Sequence, residues 1–249
     1  MITVALDPDE HSRALWHNAL SLMNKLDGDW TLVGGLMVQL LAVRYGVPST
    51  RLTVDIDILA DSRRRPSSTE RIGATLTELG FEVAEQTRLR DPETAFRFER
   101  AGTIVDLIAP EKTGRRRPSR TVGNFQTIEV PGGTQALVRT EALLVRLDDT
   151  ESTVRTPTLL GAILSKARAI RSSHRDQDRD DLVVLFACIE DPIALREDPK
   201  RTERSWLRSA DEALALDGPD LPSRFATDQL DRARAAYRLL AAGSRATRQ

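Results

Sequence analysis

Along the first half of the chain the apolar positions switch between helical spacing and strict alternation, and glycine or proline marks most switches. Leu15, Ala19, Leu22 and Leu26 share one helical face, with Asp7 and Pro8 placed to start that helix and Gly28 to end it. Trp30 to Val33 reads as a short strand running into Gly34-Gly35, and Leu36 to Tyr45 as a second helix closed by Gly46 and Pro48. From Leu52 to Leu59 the alternation is clean. Leu52, Val54, Ile56 and Ile58 point one way, and Thr53, Asp55 and Asp57 the other. A helix over Ser68 to Leu79 follows, then short strands at Phe81 to Ala84, Ala95 to Glu99, Thr103 to Ile108 and Gln126 to Val130.

Beyond about Thr150 the spacing is helical throughout, with helices predicted over Pro157 to Ile170, Asp180 to Ile189, Arg201 to Leu216 and Ala226 to Leu240. The pattern predicts an α/β fold of α+β character, with a core domain over 1–150 and a C-terminal helical domain over 151–249. The 249 residues, 40% apolar, are enough for one large domain or two small ones. A net charge of −1 gives no overall field for a polyanion, so nucleic acid would have to be met by local patches. Cys188 is the single cysteine, which rules out an intramolecular disulfide and a cysteine-based zinc site. Met1 to Asp9 lacks the pattern of a signal peptide and no apolar run is long enough to span a bilayer, so a cytoplasmic protein without membrane contact is expected.

Candidate chemistry is concentrated in carboxylates. Asp55 and Asp57, two apart on a strand, project from one face at a separation that an oxygen-liganded divalent ion can bridge. An isolated Asp-x-Asp is more often a solvent-facing strand edge. Asp106 interrupts the otherwise apolar run Thr103-Ile-Val-Asp-Leu-Ile108 and must find a partner, a proton, a metal or an exposed strand end. Gly34-Gly35, between a strand and a helix, is a place where bare backbone N–H groups can meet phosphate, or simply a tight turn. Lys166 lies on the helical wheel near Leu159, Ile163 and Ile170, where it either snorkels from the packed face or contacts a triphosphate. Arg63-Arg-Arg65 and Arg115-Arg-Arg117 each follow an acidic strand and could bind an RNA backbone if both flank one cleft, or be solvated loop charge. His11, His17 and His174 have no metal-ligand spacing.

The order of glycine pair, Asp-x-Asp strand and later Asp strand resembles the polymerase-β-like nucleotidyltransferase superfamily. More narrowly, Gly34-Gly35 followed by Arg51-Leu-Thr-Val-Asp-Ile-Asp57, with Lys166 and Arg175-Asp-Gln-Asp178-Arg-Asp-Asp181 later, resembles the AbiEii family of bacterial toxins and its MenAT-type members. The resemblance runs from about Trp30 to Pro192. It implies an NTP-dependent nucleotidyltransferase with Mg²⁺ on Asp55, Asp57 and Asp106, and with Gly34, Gly35, Thr53, Lys166 and Asp181 at the nucleotide. An RNA acceptor such as the 3′ end of tRNA and a separately encoded antitoxin are implied as partners. Leu36 stands where a small hydroxyl residue is usual, and Asp178, Asp180 and Asp181 are alternatives for the fourth-motif carboxylate. A small-molecule acceptor such as an aminoglycoside, or a silent binding module on the same fold, are the competing expectations.

Overall fold

The structure is a computed structural model that describes residues 1–49, 51–85, 94–111, 119–123, 125–173, 176–197 and 199–242. Strand β1 (Ile2–Ala5) leads to helix α1 (Glu10–Met23). The cap is Asp9, whose carboxylate accepts from the Ser12 backbone N–H at 2.7 Å, rather than the expected Asp7. Strand β2 (Trp30–Val33) then runs without a break into helix α2 (Gly34–Arg44), which is buried along most of its length.

Strand β3 (Asp55–Ala60) is three residues shorter at its start than the alternation predicts. Leu52 and Val54 are each 61% exposed and Thr53 is buried, the reverse of the expected facing. Residues 51–54 lie outside the strand as irregular chain, and Thr53 sits against Gly35. Helix α3 (Ser68–Glu78), strands β4 (Glu82–Val83), β5 (Arg97–Arg100), β6 (Thr103–Pro110) and β7 (Glu129–Val130), and short helix α4 (Gly133–Val138) complete this part. The sheet order is β2-β3-β6-β5-β4, with β7 beside the end of β6. Strands β3 and β6 are parallel, whereas β2 and β5 run antiparallel to their neighbours.

A second sheet was absent from the expectations. Strands β8 (Thr140–Leu147) and β9 (Thr150–Pro157) form a hairpin, and β1 joins β8 in parallel. Thr150 is therefore the first residue of β9, paired with Leu147 of β8, and helical structure resumes only after Pro157. Helices α5 (Leu159–Ser173), α6 (Asp176–Ala187), α7 (Arg201–Ser209), α8 (Asp211–Leu214) and α9 (Thr227–Ala242) follow. The single helix expected over 201–216 is two, broken at Ala210. One continuous apolar core runs from Val4 to Ala241 and includes residues of both sheets and of the C-terminal helices. Within that shared core α5 and α6 pack on α2, the helix that follows β2.

Candidate active site

Strand pairing sets the site. Val33, Asp57, Asp106 and Arg97 stand directly opposite one another across β2, β3, β6 and β5, so their side chains form one row on one face. Asp55 lies two residues before Asp57 and shares that face. Among the described residues, Asp55, Asp57 and Asp106 offer carboxylate oxygens that all lie within 4.8 Å of one another. A donor set made only of carboxylate oxygen suits a hard ion such as Mg²⁺.

Glycine is required at the mouth of this cluster. Gly34 has φ +69°, and a Cβ there would sit 1.7 Å from Asp57 Oδ2. A Cβ on Gly35 would lie 2.6 Å from Thr53 Oγ1, the hydroxyl that donates to Asp55 Oδ1 at 2.9 Å. The two glycines thus let the start of α2 lie against Asp57 and Thr53. No side chain caps α2, so its first N–H groups are oriented for anions.

The electrostatics are those of crowded acids. Burial, and then Asp55 and Asp106, push the Asp57 carboxyl up to about 7, while Lys166 and Arg51 pull the other way. Burial raises Asp106 as well, against the lowering effect of Arg97. A divalent ion would relieve that repulsion, so the residues fit the group. In a metal-free buffer the unfolded chain loses the Asp57 proton near the ordinary carboxylate value of about 4, whereas the folded chain keeps it to about 7. The folded state then binds more protons across that window, so this contribution is fully present below pH 4 and is lost as pH rises to 7. Melting in EDTA should show the decline, and Asp57→Asn should flatten it.

A second ion network adjoins the first. Lys166, on α5, lies 2.7 Å from Asp181 Oδ2 and 3.1 Å from Asp178 Oδ1, both on α6. Its side chain is 13% exposed, and the ammonium faces buried acid rather than bulk water. Although burial works to lower the Lys166 pKa, Asp181 and Asp178 outweigh it and the net shift is upward. The Asp181 side chain is fully buried and also receives Arg51 Nε at 2.9 Å. Arg51 is fixed in turn by Gln39 on α2, which donates to its carbonyl at 2.6 Å. Asp181 therefore joins α6, α5 and the segment entering β3. Removing it leaves two cations in a largely buried place, and Asp181→Ala should cost about 3 kcal/mol, measurable by denaturant unfolding.

Asp55, Asp57, Asp106, Lys166, Asp181, Gly34, Gly35 and Thr53, the candidates from the sequence, lie toward one end of the first sheet. Arg97 and Arg51 stand there as well, with no role that the sequence pattern alone assigns them. The Arg63-Arg-Arg65 loop leaves the opposite end of β3 from Asp55, because the acids stand at the strand's start. There Arg63 donates to Thr134 Oγ1 at 2.8 Å and Arg65 pairs with Asp29 at 2.9 Å. Arg115-Arg-Arg117 lies outside the described residues.

Against known proteins, residues 20–241 match the family profile described as nucleotidyl transferase AbiEii toxin, type IV toxin–antitoxin system. The chain belongs to the AbiEii family. It is accordingly a nucleotidyltransferase. Among solved structures, an antigenic nucleotidyltransferase-like protein from Paracoccidioides brasiliensis is similar at 14% identity and TM-score 0.49, over 91% of this chain and 94% of that one. ANT(2")-Ia in complex with adenylyl-2"-tobramycin is similar at 14% identity and TM-score 0.32, over 91% and 97%. No curated protein matches the chain. The assignment rests on the family profile, which spans most of the AbiEii chain and takes in the acidic row, Lys166 and Asp181. No helix among the described residues is long and apolar enough to cross a membrane.

Proposed function

We propose that this AbiEii-family chain transfers a nucleotidyl group from a nucleoside triphosphate to RNA, with the 3′ end of tRNA as acceptor, and is held in check by a separately encoded antitoxin. The observation that carries the chemistry is the acidic row beside the glycine pair: Asp55, Asp57 and Asp106 within 4.8 Å of one another, with α2 starting at the same spot. Asp55, Asp57 and Asp106 would hold Mg²⁺, which when bound neutralises charge on the triphosphate and on the departing pyrophosphate.

The chain's own groups do the rest. The N–H groups at the start of α2 bind phosphate oxygens, and Gly34 and Gly35 keep that approach free of side chains. Thr53 fixes Asp55 through its hydroxyl. Lys166 supplies positive charge beside Asp57, and Asp181 positions Lys166 and Arg51 from behind. An acceptor hydroxyl attacks the α-phosphorus, its proton passes to a carboxylate of the row or to water, and pyrophosphate leaves. Alignment and electrostatics supply most of the acceleration.

Purified protein incubated with each labelled NTP and total RNA tests the reading. Label in RNA with one NTP and Mg²⁺ is the expected result. Label in a small hydroxylated acceptor and none in RNA would overturn the acceptor while leaving the family in place.

A further inference from the structure

Arg97 stands where a metal-binding acid would otherwise be free. It pairs with Asp106 in the strand register, its Nε donates to Asp106 Oδ1 at 2.7 Å and its Nη2 to Oδ2 at 2.7 Å. The same Nη2 reaches Asp55 Oδ2 at 3.4 Å, so one guanidinium touches two of the three acids. We propose that Arg97 is the resident counter-ion of the acidic row, occupying Asp106 and restricting the row to one divalent ion when no substrate is bound. This rests on the reading of the row as a metal site.

Charge and geometry support the assignment. Lys166 and Arg51 are taken up by Asp181 and Asp178, so Arg97 is the cation in direct contact with the row among the described residues. With all three carboxylates ionised, as an ion on the row would hold them, one guanidinium leaves two negative charges, the amount a single divalent ion balances. A planar fork on both oxygens of Asp106 takes up the lone pairs that a bidentate metal contact would use. The Asp106 side chain is 10% exposed against 32% for Arg97, so the acid is fixed and the cation sits at the open side. An ion pair with a purely structural role has no need to touch Asp55 as well.

The test titrates Mn²⁺ alone into the full chain stripped with EDTA, and counts bound ions by electron paramagnetic resonance. The wild type is compared with Arg97→Gln, Arg97→Lys and Asp57→Asn. Wild type should bind one ion, and Arg97→Gln should bind a second or hold the first about 10-fold more tightly. Arg97→Lys keeps the charge but cannot span both oxygens, so a gain of about threefold is expected, and it serves if Arg97→Gln does not fold. Unchanged count and affinity in whichever of these variants folds would overturn the role of Arg97 and leave the metal site intact. If wild type binds no more Mn²⁺ than Asp57→Asn, the metal reading itself falls, and this inference with it.

Discussion

Asp55→Asn should abolish nucleotidyl transfer, by about 10³-fold or more, while the protein melts within a few degrees of wild type. The carboxylate is one of three crowded acids, and its hydrogen bond from Thr53 can be kept by the Asn side-chain oxygen. Loss of one negative charge also relieves repulsion on Asp57, which opposes any loss of packing. Arrest of growth on expression in a bacterial host should disappear with the same substitution. Transfer at the wild-type rate by a folded Asp55→Asn protein would remove the metal from the mechanism.

Gly34→Ala should be strongly destabilising. The backbone there is left-handed, and the new Cβ would lie 1.7 Å from Asp57 Oδ2, so strain and steric conflict act together. A cost of about 3 kcal/mol follows from adding the two effects. Gly46→Ala provides the comparison, since Gly46 has φ +62° and nothing within 4 Å of its Cβ, so only backbone strain remains, about 1 kcal/mol. Thermal melts of the two variants separate the effects. Activity separates them further, because only Gly34→Ala displaces a carboxylate. Equal melting points for the two would mean that Asp57 gives way freely and that the contact does not hold the acid in place.

What the sequence made legible was chemistry carried by strong local patterns. Asp55 and Asp57 were found because Ile56 and Ile58 are fully buried between and beyond them, which is the signal of alternation. Two elements escaped for opposite reasons. Strand β1 has a single buried residue, Val4, too little for a period. The β8–β9 hairpin does alternate, but its inward positions include Ser152 and Thr156, and its turn is Asp148-Asp149 with Asp148 at φ +50° rather than the familiar Asn-Gly. Arg97 was hidden by register rather than by composition. The turn Ala101-Gly102, with both residues at positive φ, pairs Arg100 with Thr103 and so sets Arg97 opposite Asp106. Reading that dipeptide as a hairpin turn would have placed the guanidinium on the acid.

The pairing of β1 with β8 joins residues 2–5 to residues 143–146, and the ion network extends the dependence to Asp181. During synthesis, at roughly 5–20 residues per second, the acids of β3 and β6 emerge well before Lys166 and Asp181 leave the ribosome. A nascent or prematurely terminated chain ending in the hairpin would carry all three carboxylates yet lack the lysine and the buried acid that orients it. The three acids thus spend part of synthesis without the buried ion network that adjoins them in the folded chain.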